Sequence, residues 1–224
     1  MATSDLTRLP VAIAGPEAQS EVAPITIVTG LPRSGTSMMM QMLVAGGCRA
    51  LVDERRPADP NNPRGYYEYE PVTRLHLNSR WLPEARGRVL KVVAPLLRHL
   101  PGSGSDGQAL RYRVIFMRRE VGQVVASQLR MLRNLGREHE APAEAILLAA
   151  MRQEVVAADQ WIAHHAAAVI DIDYLEPVPN PADSAERVGW FSSGPAAGAS
   201  PKAIRRCSAA TRISPAFSSS LANR

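Results

Sequence analysis

The feature that most constrains the fold is a short glycine-containing segment between a β-branched run and a helix-forming run. Residues 25–28 read ITIV, which favours a buried strand, and residues 37–45 are rich in helix formers and end before Gly46 and Gly47. Residues 30–37, between them, read GLPRSGTS. A strand, a glycine-rich turn and a helix in this order predict a phosphate-binding loop, because glycines let backbone N–H groups approach an anion at the positive end of the helix.

The loop keeps the glycine spacing of the nucleoside-triphosphatase signature but lacks its lysine. Thr36 occupies the lysine position, and a cation stands three residues earlier, at Arg33. We expect Arg33 to supply fixed charge and a fork of donors to a bound phosphate. We expect the following loop residues to donate hydrogen bonds to the same group: Ser34, Gly35, Thr36 and Ser37.

A magnesium-dependent kinase or NTPase is an alternative interpretation of the loop. Such an enzyme needs an acid at the end of a neighbouring strand to help hold the metal. The candidate strand at residues 113–117 continues into Arg118 and Arg119, and the acids at a strand end are Asp171 and Asp173. We therefore expect a site without a metal, in which a basic segment accompanies the phosphate loop.

Apolar runs alternate with helical patterns along the chain, and this order predicts an α/β fold. We expect three layers, with helices on both faces of a mostly parallel sheet, and ligands beyond the carboxyl ends of the strands. The strands are expected at 25–28, 89–93, 113–117 and 168–172, and the helices at 37–45, 75–82, 120–135 and 144–165. On the last helix, four residues are expected to face the core: Ile146, Leu147, Ala150 and Trp161.

Composition divides the chain into three segments. Residues 1–22 lack a clear period and are expected to be a flexible leader, residues 23–191 to form the α/β domain, and residues 192–224 to be disordered or aberrant. The last segment holds eight Ala, eight Ser, five basic residues and no acid. Because the pattern ends abruptly at Phe191, we predict a shift of the reading frame or gene model there, which the coding DNA would test.

The net charge of +5 comes from the last segment, since the rest of the chain carries 21 basic and 21 acidic residues. The charge therefore does not predict a nucleic-acid partner. The two cysteines indicate neither a disulfide framework nor a zinc site. No apolar run reaches the roughly 18 residues that span a bilayer, and the first residues lack a signal-peptide pattern. We expect a cytoplasmic protein without a membrane partner.

Residues 31–37 resemble the 5′-phosphosulfate-binding loop of the sulfotransferase superfamily, whose form is Pro-Lys/Arg-Ser-Gly-Thr-Thr/Ser. Residues 118–127 are similar to the family's 3′-phosphate-binding segment, a strand ending in Arg followed by a helix with a Ser about eight residues on. Ser127 fits that serine, whereas Arg118 and Arg119 both remain candidates because Glu120 stands where proline is usual. The resemblance extends over residues 25–191 and includes segments similar to a bacterial branch.

The resemblance implies a sulfotransferase that uses 3′-phosphoadenylyl sulfate (PAPS) as donor, without a metal. The sulfuryl group would move to a hydroxyl or amine of a small-molecule or peptide acceptor. An inactive remnant that still binds nucleotide is the other alternative, because the family's late basic element is not recognisable in residues 192–224. Neither the acceptor nor the oligomeric state follows from the sequence.

The resemblance also implies catalytic residues. It assigns Lys91 to contact the transferring group. Many members carry a histidine two residues later as general base, but Val93 stands there in this chain. Other branches use a glutamate from the loop after the first helix, which implies Glu68 as the base. Other acids of this loop are alternatives: Asp53, Glu54 and Glu70.

Overall fold

The structure, a computed structural model, describes residues 22–53 and 55–175 of the 224-residue chain. Its centre is a sheet of four strands: β1 (Ile25–Gly30), β2 (Val89–Lys91), β3 (Tyr112–Arg118) and β4 (Ala166–Asp173). All neighbouring pairs are parallel, in the order β2-β1-β3-β4. Glu54, the predicted tail and all but the last residue of the predicted leader lie outside the described residues.

Three α-helices accompany the sheet: α1 (Thr36–Ala45), α2 (Val121–Asn134) and α3 (Glu144–His165). Short 3₁₀ helices lie at Glu70–Arg74, Leu82–Ala85, Ala94–His99 and Glu138–Glu140. The helix predicted at 75–82 is wrong. Two separate 3₁₀ turns lie on either side of this segment, and each has a proline in its first turn, Pro71 and Pro83, where the missing N–H favours a helix start. Across the described ranges, no helix combines the length and the apolar character that a bilayer crossing requires.

Helices cover both faces of the sheet, which confirms the predicted three-layer α/β/α fold. On one face, Met39 and Met40 of α1 pack against a group of buried strand residues: Val28, Ile115, Met117 and Ile172. On the other face, Val124 of α2 and Trp161 of α3 pack with another group: Ile25, Ile27, Val114 and Phe116. β1 is buried along its whole length, since it has a strand on each side and a helix layer above and below.

The predicted inward face of α3 is only partly correct. Trp161 is buried, but Ile146 is 64% exposed and Ala150 is exposed as well. The residues of α3 that reach the core follow a helical stripe: Met151, Val155, Ala158, Trp161 and Ile162. A stripe with this phase passes Leu147, which is half-buried, and leaves positions 146 and 150 on its flank.

The strand order creates a crevice between the carboxyl ends of β1 and β3. The chain leaves β1 towards β2 on one side and later returns to β3 on the other side of β1. At such a reversal the two connections diverge to opposite faces of the sheet, which leaves an opening where ligands of α/β proteins bind. Residues 30–37 follow β1 and residues 118–127 follow β3, so both predicted phosphate-binding segments flank this crevice.

The packing of the core predicts that alanine substitution of two leucines, one buried and one exposed, changes the free energy of unfolding by different amounts. Leu90 of β2 is fully buried, and Leu90→Ala should lower the free energy of unfolding by about 2–5 kcal/mol because it leaves a cavity. Leu77 is 74% exposed, and Leu77→Ala should change it by less than about 0.5 kcal/mol. Urea unfolding of both variants measures this, and equal losses would contradict the described packing.

Candidate functional site

Two glycines shape the loop between β1 and α1. Gly30 has φ +149°, and a Cβ there would collide with the Ser34 hydroxyl and lie 2.7 Å from the Met117 carbonyl oxygen. Gly35 has φ +96°, and a Cβ there would lie 2.6 Å from the Tyr174 ring. Both positions therefore combine a backbone that favours glycine with a close approach that excludes a side chain. The glycine spacing seen in the sequence thus has a steric reason.

The N-terminus of α1 points into the crevice without a competing negative charge. Gly35 is its N-cap, so no side chain caps the first turn, and that turn contains no acidic residue. Ser34 is buried, and its Oγ has no hydrogen-bond partner. A helix start of this kind offers N–H donors and a positive dipole end to an anion. The loop therefore presents donors of the kind that a phosphate or a sulfate group requires.

A cationic cluster flanks the loop on the β3 side. Arg33, with φ +71°, donates from Nε to the Ser127 hydroxyl at 3.3 Å. Arg119 donates from Nη1 to the Arg33 carbonyl oxygen at 2.8 Å, and its guanidinium lies 4.1 Å from the centre of the Tyr174 ring. Burial lowers the pKa of Arg119, and the like charges of Arg33 and Arg130 lower it further. A bound anion would relieve this repulsion.

Arg118 is placed differently from its neighbour. Its Nε donates to Asp171 and its Nη2 donates to Asp159, both at 2.7 Å. The guanidinium also lies 3.8 Å from the centre of the Phe116 ring. Arg118 thus connects β3 to β4 and α3, while Arg119 turns towards the loop. The structure brings together Arg33, Arg119 and Ser127, and it separates Arg118 from them.

Lys91 forms a second cluster on the β2 side of the loop. The side chain is almost fully buried, and its Nζ donates to three acceptors: Ser37 Oγ at 3.0 Å, the Tyr66 carbonyl oxygen at 2.9 Å and Glu68 Oε1 at 3.1 Å. Burial lowers the pKa of Lys91, and the charge of Glu68 opposes this effect. Three acceptors match the three protons of the ammonium group. Lys91 therefore links the phosphate loop to the segment that carries Glu68.

Glu68 reaches Lys91 because the chain reverses at Tyr67. Tyr67 has φ +51°, a left-handed conformation that costs a residue with a side chain on the order of 1 kcal/mol. With this reversal, both the Tyr66 carbonyl and the Glu68 carboxylate face Lys91. The carboxylate also accepts a hydrogen bond from Arg56, and about 29% of the side chain is exposed. This carboxylate is thus in contact with solvent.

The alternative acids of this loop are engaged elsewhere. Asp53 accepts from the backbone N–H of Glu70 at 2.6 Å and from that of Arg55 at 3.1 Å. Glu70 pairs with Arg74 at 2.9 Å. These contacts lie within the loop. Among the described hydrogen bonds, neither Asp53 nor Glu70 accepts from Lys91. Among the acids that the structure describes in this loop, Glu68 is the one paired with Lys91.

A segment of residues 59–68 lies across the loop and supplies acceptors to it. The Asn61 carbonyl accepts from Arg33 Nη2 at 3.2 Å, and the Tyr66 carbonyl accepts from the Ser37 hydroxyl at 3.2 Å. The Asn61 side chain also accepts from Asn134 at the end of α2, at 3.2 Å. In the described state, backbone carbonyls therefore occupy donors that an anion could use.

Three contributors were not expected from the sequence: Asn61, Arg56 and Tyr174. Tyr174 directly follows β4, so its position at the carboxyl edge of the sheet could have indicated it. Asn61 contacts Arg33 through its backbone carbonyl, and the type of a residue does not indicate such a contact.

The structure also bears on metal binding. Residues 22–53 and 55–175 contain no group of three or more His, Cys, Asp or Glu side chains that could hold an ion.

Comparison with known proteins gives weak matches. No family model matches the chain, and no curated protein matches it. Among solved structures, it is similar to the Sulfotransferase Domain from the Curacin Biosynthetic Pathway, with a TM-score of 0.43 and 14% identity over 84% of this chain and 78% of that one. It is also similar to the Sulfotransferase Domain from the Synechococcus PCC 7002 Olefin Synthase, with a TM-score of 0.42 and 14% identity over 91% and 86%.

The loop geometry predicts unequal effects of two glycine substitutions. Gly35→Ala and Gly47→Ala both place a side chain at a positive φ, +96° and +85°. Only Gly35→Ala would also displace Tyr174, because nothing lies within 4 Å of a Cβ at Gly47. We expect Gly47→Ala to lower the free energy of unfolding by about 1–2 kcal/mol and Gly35→Ala by clearly more. Urea unfolding compares the two, and equal losses would contradict the close approach of Tyr174.

Proposed function

We propose that this chain is a sulfotransferase that moves a sulfuryl group from 3′-phosphoadenylyl sulfate to a hydroxyl or amine of a small-molecule or peptide acceptor. The observation that carries the proposal is the arrangement around one loop. An open helix N-terminus lies between a cluster of arginines and a buried lysine that contacts a carboxylate. This arrangement suits a ligand with two anionic groups and a reacting centre next to one of them.

The donor would bind through both sides of the loop. Its 5′-phosphosulfate would occupy the start of α1, where the N–H groups and hydroxyls converge: Ser34, Gly35, Thr36 and Ser37. Its 3′-phosphate would bind Arg119 and Ser127, and Arg33, which contacts both of them, would serve the phosphate of the loop as the sequence predicts. Arg119 is our choice over Arg118, because Arg118 is neutralised by Asp159 and Asp171. The sequence leaves both arginines as candidates, and the choice of Arg119 is part of the proposal.

The remaining residues suit an in-line transfer. The acceptor oxygen or nitrogen forms a bond to sulfur while the bond between sulfur and the leaving phosphate oxygen breaks. Negative charge grows on that oxygen, and Lys91 together with the loop N–H groups would stabilise it. Glu68 would take the proton from the acceptor, a role that Val93 cannot fill. Lys91 already has three acceptors, so it would exchange one of them for the leaving oxygen.

The first experiment is a binding titration with adenosine 3′,5′-bisphosphate in EDTA, compared with ATP plus magnesium. We expect the bisphosphate to bind without metal and more tightly than ATP with magnesium. A magnesium site would need an acid at the end of β3. Met117, which pairs with Gly30, and Arg118 stand at that position instead. Stronger binding of ATP with magnesium would contradict the proposal. Transfer of labelled sulfate from the donor to a panel of acceptors then separates an enzyme from a chain that only binds the nucleotide.

Substitution of two adjacent arginines tests the assignment of the 3′-phosphate site. Arg119→Ala should weaken bisphosphate binding about 10- to 100-fold, since a hydrogen bond to a charged group contributes about 1.5–3 kcal/mol. Arg118→Ala should leave the affinity within about threefold, although it removes the ion pairs to Asp159 and Asp171. Calorimetry measures both, and circular dichroism confirms folding. A larger loss for Arg118→Ala would reverse the assignment.

A further inference from the structure

The Glu68–Lys91 pair has a third member, Arg56, which neither the sequence nor the proposed reaction assigns. Arg56 Nη1 donates to both oxygens of the Glu68 carboxylate, at 3.3 Å to Oε1 and 3.2 Å to Oε2. Lys91 donates to Oε1 alone, at 3.1 Å. Among the hydrogen bonds of the described residues, Arg56 is thus the partner of Oε2, while Oε1 accepts from both cations.

Arg56 is itself held by a rigid support. Its guanidinium carbon lies 3.4 Å from the centre of the Tyr66 ring, and Tyr66 is buried. The Tyr66 hydroxyl donates to Asp59 Oδ2 at 2.7 Å. The other oxygen of Asp59 accepts from the backbone N–H groups of Asn61 and Asn62, at 2.8 Å and 2.9 Å. The ring therefore cannot turn freely, and a planar guanidinium stacked on it has a fixed orientation.

We propose that Arg56 is a positioning residue that holds the Glu68 carboxylate in place while Lys91 exchanges an acceptor; this role rests on the proposed sulfuryl transfer. When Lys91 turns to a leaving oxygen, Glu68 loses its contact to Nζ and would swing into solvent without another donor. Arg56 stays hydrogen-bonded to the carboxylate, so Glu68 keeps its orientation towards the acceptor. A base held in this way needs less reorganisation at the moment of transfer.

The neighbouring Arg55 provides a matched control. It lies in the same loop with 72% of its side chain exposed, and its guanidinium approaches Glu70 only to 3.8 Å. Arg55→Gln and Arg56→Gln remove the same charge one residue apart. Because the Arg56 side chain is 50% exposed, its substitution leaves the core intact.

Lys91 provides a readout that does not depend on turnover. The chain has two lysines, Lys91 and Lys202, so ¹⁵N-lysine labelling gives few ammonium signals, and Lys91→Arg assigns them. Burial is the main effect on the pKa of Lys91; Glu68 raises this pKa, whereas Arg56 and Arg33 lower it. Arg56→Gln should therefore move the titration midpoint of Lys91 to higher pH. Arg55→Gln should leave it unchanged.

Kinetics complete the test. Arg56→Gln should lower kcat about 10- to 100-fold with the affinity for adenosine 3′,5′-bisphosphate within about twofold, while Arg55→Gln should change neither. An unmoved Lys91 titration in Arg56→Gln, or equal losses of kcat in the two variants, would overturn the positioning role. Absence of bisphosphate binding by the unsubstituted protein would contradict the proposed function instead. The Lys91 titration reports how close the Arg56 charge lies to the Glu68–Lys91 pair, and the difference in kcat between the two variants decides on the positioning role.

Discussion

The parallel pairing of β1 with β3 is the constraint on which the site depends. The register places Gly30 opposite Met117, so the loop after β1 and the segment after β3 start at the same level of the sheet. This pairing is possible because Gly30 has no side chain, since a Cβ would lie 2.7 Å from the Met117 carbonyl oxygen. Arg33 and Arg119 can therefore meet although 86 positions separate them. The strand pairing that builds the core also brings together the residues of the proposed anion site.

The buried Lys91 adds a second constraint, on the β2 side. A buried ammonium group is unfavourable unless acceptors replace its water. Its acceptors come from α1 and from residues 66–68, so the loop after α1 has to fold onto β2 for the charge to be satisfied. The left-handed Tyr67 is part of this arrangement, because it directs two acceptors to one nitrogen. The contacts of Lys91 thus tie the long loop to β2.

Much of the fold could be predicted from local patterns, whereas parts of the site could not. The bounds predicted for α3 agree with the structure and those for α2 differ by one residue at each end, because apolar spacing and helix ends are local signals. The predicted phase of α3 failed at Ile146, because the buried stripe passes Leu147 and leaves position 146 on its flank. Arg56 stacks on the Tyr66 ring, and the Asn61 backbone carbonyl accepts a hydrogen bond from Arg33. No local sequence pattern indicates either contact.

The two adjacent arginines show where a local rule would have sufficed. Along β3, Tyr112, Val114 and Phe116 face α2 and α3, and period-two alternation puts Arg118 on the same face. There it lies above the Phe116 ring and meets acids of α3 and β4. Arg119 is the first residue beyond the strand, so it is free of this alternation and turns into the crevice. Strand periodicity thus distinguishes the arginine that packs on the face of the sheet from the one that turns towards the loop, provided that the last residue of the strand is known.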